Sequence, residues 1–181
     1  MVLALIFHER DNVTEDEGRR IHEQLMECAS RWLKDSGLLV MHVEQSFLPR
    51  AICSSPILQF CHLLSVTGPG FWQQQESRVG TIFGQCWRPY CVYVKGPCDT
   101  EPQMPESPTP DITIIPDGPE FDYERLAIDL IRRLSPSGAS VCDPFMDKGA
   151  VGRAALKTGR TYIGIEKETM PFLLAREDLS V

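Results

Sequence analysis

The sequence predicts an α/β fold with a mostly parallel sheet, and three stretches carry that prediction. Val2–Phe7 is a continuous apolar run without polar alternation, as a strand buried on both faces requires. Residues 15–33 place apolar side chains at helical spacing between that run and a second one, Leu38–Val43. Residues 139–166 then repeat the order as strand, turn, helix, strand and acid. With 181 residues and 43% apolar composition, the chain suits one globular domain with a real core.

In chain order, Asn12 or Thr14 can cap a helix from Glu15 to Leu33 whose acidic first turn suits the helix dipole. Its apolar stripe is Ile21, Leu25, Cys28, Ala29 and Trp32, and Asp35-Ser36-Gly37 ends it. Gln45–Pro49 reads as a turn, Ile57–Leu64 as a helix, Leu64–Thr67 as a short strand and Gly68-Pro69-Gly70 as a loop. Trp87-Arg88-Pro89 leads into a β-branched and aromatic strand, Tyr90–Lys95, bounded by Gly96-Pro97. Trp72, Trp87 and Tyr90 are expected in the core or at its rim.

Residues 97–124 hold seven of the 14 prolines and eight acids, with no Lys or Arg. Such a stretch buries too little apolar surface to offset its ordering entropy, so an extended loop is expected in which only Ile112–Ile115 docks. Tyr123–Leu134 is amphipathic, with Ala127, Leu130, Ile131 and Leu134 on one stripe. Ser135–Gly138 turns it into the strand Ala139–Asp143, which stops where Pro144 can no longer donate to a ladder. Met146–Gly149 is a turn, Gly152–Lys157 a helix, Thr158-Gly159 its stop, and Thr161–Ile165 a strand. Glu166 follows Asp143 by 23 residues (166 − 143 = 23), and Pro171–Arg176 starts a last helix. In doubly wound folds an acid about 20 residues after the first strand binds ribose hydroxyls. Asp143 has a second reading, as a local cap for its own turn.

The net charge of −7 argues against free-standing nucleic-acid binding, which needs clustered Lys and Arg. Seven cysteines, an odd number without a C-x-x-C pair, favour thiols over a zinc site, so no metal is expected. Met1–Phe7 lacks a basic flank and is too short to span a bilayer, so a reduced, cytoplasmic protein without membrane contact is expected. No Ser/His/Asp or Cys/His arrangement and no P-loop is readable.

The string DPFMDKGAVGRAALKTGRTYIGIE, residues 143–166, resembles the AdoMet-binding motif of the permuted, β-class DNA amino-methyltransferases of the N6-adenine/N4-cytosine type, DPFxGxGTxxxAAxxxGRxxIGIE. The Asp-Pro-Phe, Ala-Ala, Gly-Arg and Ile-Gly-Ile-Glu positions match in register. Leu33-Lys34-Asp35-Ser36-Gly37 is similar to the family's LKxGG turn, and the strand Tyr90–Lys95 resembles its phage-type members. The helix 123–134 lies where the family has its motif X helix, although Pro119-Glu120-Phe121 replaces the usual lead-in.

This resemblance implies a Rossmann-like methyltransferase fold in permuted order, with the catalytic half first and the AdoMet half last. Residues 1–96 would form the first, 97–122 the acidic loop and 123–181 the second, all in one domain. A further strand that complete methyltransferases carry is expected to be missing. S-adenosylmethionine is the implied cofactor, lined by Asp143, Pro144, Phe145, Asp147, Gly149 and Glu166.

Three departures qualify the expected function. Glu9, Arg10, Asp11 and Asn12 stand at the family's catalytic Asp-Pro-Pro-Tyr loop, and they offer neither its rigid turn nor a ring to stack on a flipped base. Ala150 replaces a threonine, a mild change, whereas Asp147 replaces the first loop glycine. A carboxylate there, about 4 Å from the cofactor's own carboxylate at an effective dielectric near 20, costs roughly 4 kcal/mol, a factor near 10³ in affinity. The expected protein is therefore a degenerate, phage-like methyltransferase that acts as a binding or regulatory protein. Its partner would be a second copy or an active methyltransferase subunit. The alternatives are an active DNA or RNA amino-methyltransferase, and a phage-type inhibitor of a host defence protein whose acidic stretch mimics nucleic acid.

Overall fold

The computed structural model describes residues 3–7, 15–43, 47–53, 58–67, 87–96, 112–114 and 122–179. Glu9–Asn12, Trp72 and most of the acidic stretch lie outside these. The strands are β1 (Leu3–Ile6), β2 (Leu38–His42), β3 (Gln59–Thr67), β4 (Trp87–Val94), β5 (Ile112–Ile114), β6 (Ser140–Asp143) and β7 (Thr161–Gly164). The helices are α1 (Glu15–Trp32), α2 (Leu48–Cys53), α3 (Tyr123–Leu134), α4 (Ala150–Lys157) and α5 (Thr169–Leu179).

One sheet takes all seven strands in the order β5-β3-β4-β2-β1-β6-β7. β1 pairs in parallel with β2 and β6, β6 with β7, and β3 with β5; among the described strands only β4 runs against its neighbours, β2 and β3. The expected α/β, mostly parallel, Rossmann-like architecture is what forms. From β1 the chain crosses outward to β2, whereas from β6 it crosses the other way to β7, so the strand order reverses between β1 and β6. Leu3 sits opposite Val141 and Ala4 opposite Cys142, which brings the carboxyl ends of the two strands side by side. Such a reversal is where doubly wound sheets bind ligands.

The alternation of strand side chains makes two cores. On one face Leu3, Leu5, Val40, Val92 and Val141 pack under Leu126, Leu130 and Ile131 of α3 and Val151 and Ala154 of α4. On the other, Ala4, Ile6, Leu39, Met41 and Tyr93 pack against Met26 and Ala29 of α1, Leu33 just beyond it and Ala51 of α2. Apolar side chains buried to a few per cent exposure at this density contribute about 1.5–3 kcal/mol each, which is why these runs form strands at all.

Three expectations are corrected. The helix expected over Ile57–Leu64 does not form from residue 58 onward: Gln59–Thr67 is a strand laid antiparallel on β4, with an irregularity between Phe60 and His62. A short apolar run has no decisive period, and the pairing with β4 overrides local preference. Helix α2 starts at Leu48, inside the expected turn. The buried stripe of α1 is His22, Met26 and Ala29, continued by Leu33 just past its end; of the expected Ile21, Leu25, Cys28, Ala29 and Trp32, only Ala29 is fully buried. His22 is tolerated there because its Nε2 reaches the Tyr93 hydroxyl at 3.1 Å, and that hydroxyl donates to the Ala51 carbonyl at 3.0 Å. With the hydroxyl proton committed, His22 is the donor of the pair; burial holds it below its usual pKa and so neutral.

Candidate functional site

The turn between β6 and α4 is built from the strand end outward. Asp143 closes β6 almost fully buried, and its Oδ1 accepts the Phe145 N–H at 3.0 Å, so the capping reading of this residue holds. Burial pushes its carboxyl up to about 7; the Phe145 amide pulls the other way, and the Glu166 and Asp147 charges add to the rise. Pro144 follows as the residue that ends the ladder, while Phe145 leans on the α1-side core. Met146 donates to the Ile165 carbonyl and Ile165 to the Asp143 carbonyl, both at 2.9 Å, which sews the turn to the exit of β7. Gly149 sits at φ +82, and a Cβ there would lie 3.2 Å from that of Ala175. Only glycine meets both demands cheaply.

Asp147 also lies in the left-handed region, at φ +43. A non-glycine residue there costs about 1 kcal/mol, which matches the family's preference for glycine at this position. Its amide donates to Glu166 Oε2 at 2.9 Å, and the Glu168 amide donates to Glu166 Oε1 at 2.8 Å. The amides of Glu168, Asp147 and Lys167 hold the Glu166 carboxyl below the usual carboxylate range, against a smaller effect of burial. The acid expected to face a ribose thus has both oxygens engaged by backbone of its own neighbourhood.

Side chains the sequence did not single out hold this turn in place. Arg153 of α4 reaches Glu124 of α3 at 2.7 Å, the Lys148 carbonyl at 2.8 Å and Asp178 of α5 at 3.4 Å. Burial raises the Glu124 carboxyl, but hydrogen bonds from Arg153 and Lys157 outweigh it and hold the group below its ordinary value. The sequence signal was an arginine one turn into a helix that follows a glycine turn, without any hint of its distant partner. Beside the turn, a Cβ on Gly164 would collide with Met146 and with the Tyr162 ring. The Tyr162 hydroxyl there is buried and has no hydrogen-bond partner among the described residues.

At the end of β1, next to where Glu9–Asn12 follow in the chain, aromatic rings gather. Phe7 meets Tyr90 edge-on at 5.7 Å and stacks on Tyr123 at 6.1 Å, and Arg88 donates to the Tyr123 hydroxyl at 3.2 Å. His42 lies 5.3 Å from Tyr90, and burial lowers its pKa to about 4. The predicted core role of Tyr90 is what is found.

Residues 124–176 match the family model described as DNA methylase, of the N6/N4 methyltransferase type. This segment is similar to the DNA methylase family. Solved structures extend the likeness of fold to the whole chain. M1.HpyAVI in complex with SAM superposes with a TM-score of 0.75 at 16% identity, covering 99% of this chain and 88% of that one. TTHA0409 of Thermus thermophilus, a candidate DNA modification methylase complexed with S-adenosyl-L-methionine, gives 0.70 at 19%, covering 99% and 85%. The cytosine-N4-specific PvuII DNA methyltransferase gives 0.66 at 13%, covering 96% and 78%. Among curated proteins, none matches the sequence.

Asp143, Pro144, Phe145, Asp147, Gly149 and Glu166 lie around one turn at the switch point. The frame suits a nucleoside-bearing ligand: a left-handed glycine opens a helix, and an orphaned tyrosine hydroxyl lies beside it. Each Glu166 oxygen accepts one backbone amide, from Asp147 and Glu168, and the carboxyl groups of Asp143, Asp147 and Glu166 all belong to this one turn. No group of three metal-ligating side chains occurs, and no helix is long and apolar enough to cross a membrane, among the described residues.

Proposed function

We propose that this protein is a DNA methyltransferase-like fold that has lost methyl transfer and works as a binding or partner subunit. The observation that carries this reading is the Glu166 carboxylate, closed onto the amides of Asp147 and Glu168 beside a strained, acidic turn. The Glu9-Arg10-Asp11-Asn12 sequence supports it independently. No residue there supplies a ring for an extruded base or a proline-fixed carbonyl for its amine. Both losses leave the sheet intact, since core packing does not depend on loop chemistry. The excess negative charge also disfavours a duplex as a direct ligand and suits a protein surface instead. The reading is tested by incubating the purified chain with methyl-labelled S-adenosylmethionine and unmethylated DNA or RNA. The expected result is no transfer above background; turnover by the chain alone would overturn it and restore the active-enzyme alternative.

A further inference from the structure

The first turn of α3 touches both regions that flank the switch point. Tyr123, its first residue, stacks on Phe7 at the end of β1 with ring centroids 6.1 Å apart, and its hydroxyl accepts from Arg88 of β4 at 3.2 Å. Glu124, the next residue, lies about 100° further around the helix axis and so faces α4 instead. There its two oxygens accept from Arg153 Nε at 2.7 Å and from Lys157. Arg153 also donates through Nη1 to the Lys148 carbonyl at 2.8 Å, inside the motif turn itself. Phe7 and Tyr90 pack on the α3 face of the sheet, whereas Phe145, the turn's own ring, packs on the α1 face. The sheet therefore stands between these rings, and the printed bonds that join the two regions run through α3.

We propose that this first turn is a coupling element, through which the ring cluster at the end of β1 and the motif turn at the end of β6 respond together. Asp122 caps it, accepting from the Arg125 amide at 2.9 Å, and the backbone angles of a first helical turn are fixed jointly rather than residue by residue. Tyr123 and Glu124 are thus held as one piece: a tilt that lifts the Tyr123 ring off Phe7 also draws Glu124 away from Arg153. The guanidinium is planar and grips both Glu124 Oε2 and the Lys148 carbonyl, so it passes that shift to the turn as a rigid fork. Asp178 of α5, 3.4 Å from Nη1, is a longer third hold on the same arginine. Glu124 is a positioning residue in this account, not a reacting one. A ligand or partner that displaces Tyr123 loosens the turn; by linkage, one that tightens the turn holds Tyr123 down on Phe7. This goes beyond the loss of methyl transfer and does not depend on it.

Amide resonances and hydrogen exchange of the full, isotope-labelled chain test it without cofactor, so this inference and the loss of methyl transfer can fail separately. Tyr123→Leu should shift the amides of Asp147, Lys148 and Gly149. It should also lower the exchange protection of Gly149, whose N–H donates to the Met146 carbonyl at 2.8 Å. In an Arg153→Ala background the same substitution should leave those amides where Arg153→Ala alone puts them. Glu124→Ala should cut the coupling, and Glu124→Gln, which still offers an oxygen to Arg153, should restore part of it. Where Tyr123→Leu fails to fold, the reverse direction decides: Arg153→Ala should move the ring resonances of Phe7 and Tyr123. Unmoved turn amides in a folded Tyr123→Leu chain, an equal response with and without Arg153, equal behaviour of the two Glu124 variants, or unmoved rings in Arg153→Ala would each overturn the inference.

Discussion

Two strand–helix–strand units lie back to back across the switch point, and they depart from the resemblance in different ways. In β1–α1–β2 the helix is long and its strands are buried on both faces, and the Glu9-Arg10-Asp11-Asn12 sequence between them differs from the Asp-Pro-Pro-Tyr of the resemblance. In β6–α4–β7 the motif is nearly intact in sequence, and the turn is bound to itself by the bonds of Asp143, Asp147 and Glu166. One unit keeps strands and helix and departs from the family's string between them; the other keeps the string, and its acid bonds the turn's own amides. The difference teaches that packing and chemistry are maintained by separate residues, so either can change without the other.

The sharpest way to break this contrast is one substitution made in both units. A Cβ added at Gly18 in α1 would meet nothing within 4 Å, so Gly18→Ala should stabilise by up to about 1 kcal/mol. Gly152 in α4 would bring a Cβ to 2.7 Å from both Leu179 and the Tyr162 ring, so Gly152→Ala should destabilise by about 1–3 kcal/mol. Urea unfolding of the two variants should move in opposite directions; equal shifts would mean that α4 is packed no more tightly than α1.

A smaller effect sharpens the electrostatic side. Asp143 has its pKa raised to about 7 against an ordinary 3.8, so the folded state holds its proton more tightly than the unfolded chain does. Stability from this group is therefore fully present below about pH 3.8 and lost as pH rises through 7. Asp143→Asn removes that loss while its amide oxygen still accepts from Phe145, and at pH 8 it should gain roughly 2 kcal/mol, falling to nothing near pH 4. His42, lowered from 6.5 to about 4, works the other way: its stability is present above pH 6.5 and lost toward 4. That contribution is common to parent and variant, so it cancels in the difference. A gain independent of pH would show that Asp143 is not the buried, proton-holding group of the turn.

Much of the fold was legible because burial leaves a period in the sequence. Val2–Phe7, Leu38–Val43, Tyr123–Leu134 and 139–165 each read correctly from apolar spacing and from Gly or Pro stops. The strand Gln59–Thr67 was not legible, since what makes it a strand is its pairing with β4, well further along the chain. His22 in the α1 stripe was equally hidden, because its buried place depends on Tyr93, 71 residues away. In the candidate site, the motif positions were legible as a string, and Asp147 as its exception. The Arg153 clamp on Glu124 and Lys148, the orphaned Tyr162 hydroxyl and the closure of Glu166 needed the folded chain, since each joins groups that the sequence keeps apart.

Central to this reading is the closure of the motif turn on its own acid through residue 147. Calorimetric titration of S-adenosylmethionine into the parent chain and into Asp147→Gly tests it most directly. The expected result is little or no binding to the parent and binding tighter by about 10²–10³ in the glycine variant, where both the extra charge and the left-handed strain are gone. Micromolar binding to the parent, left unchanged by Asp147→Gly, would contradict it.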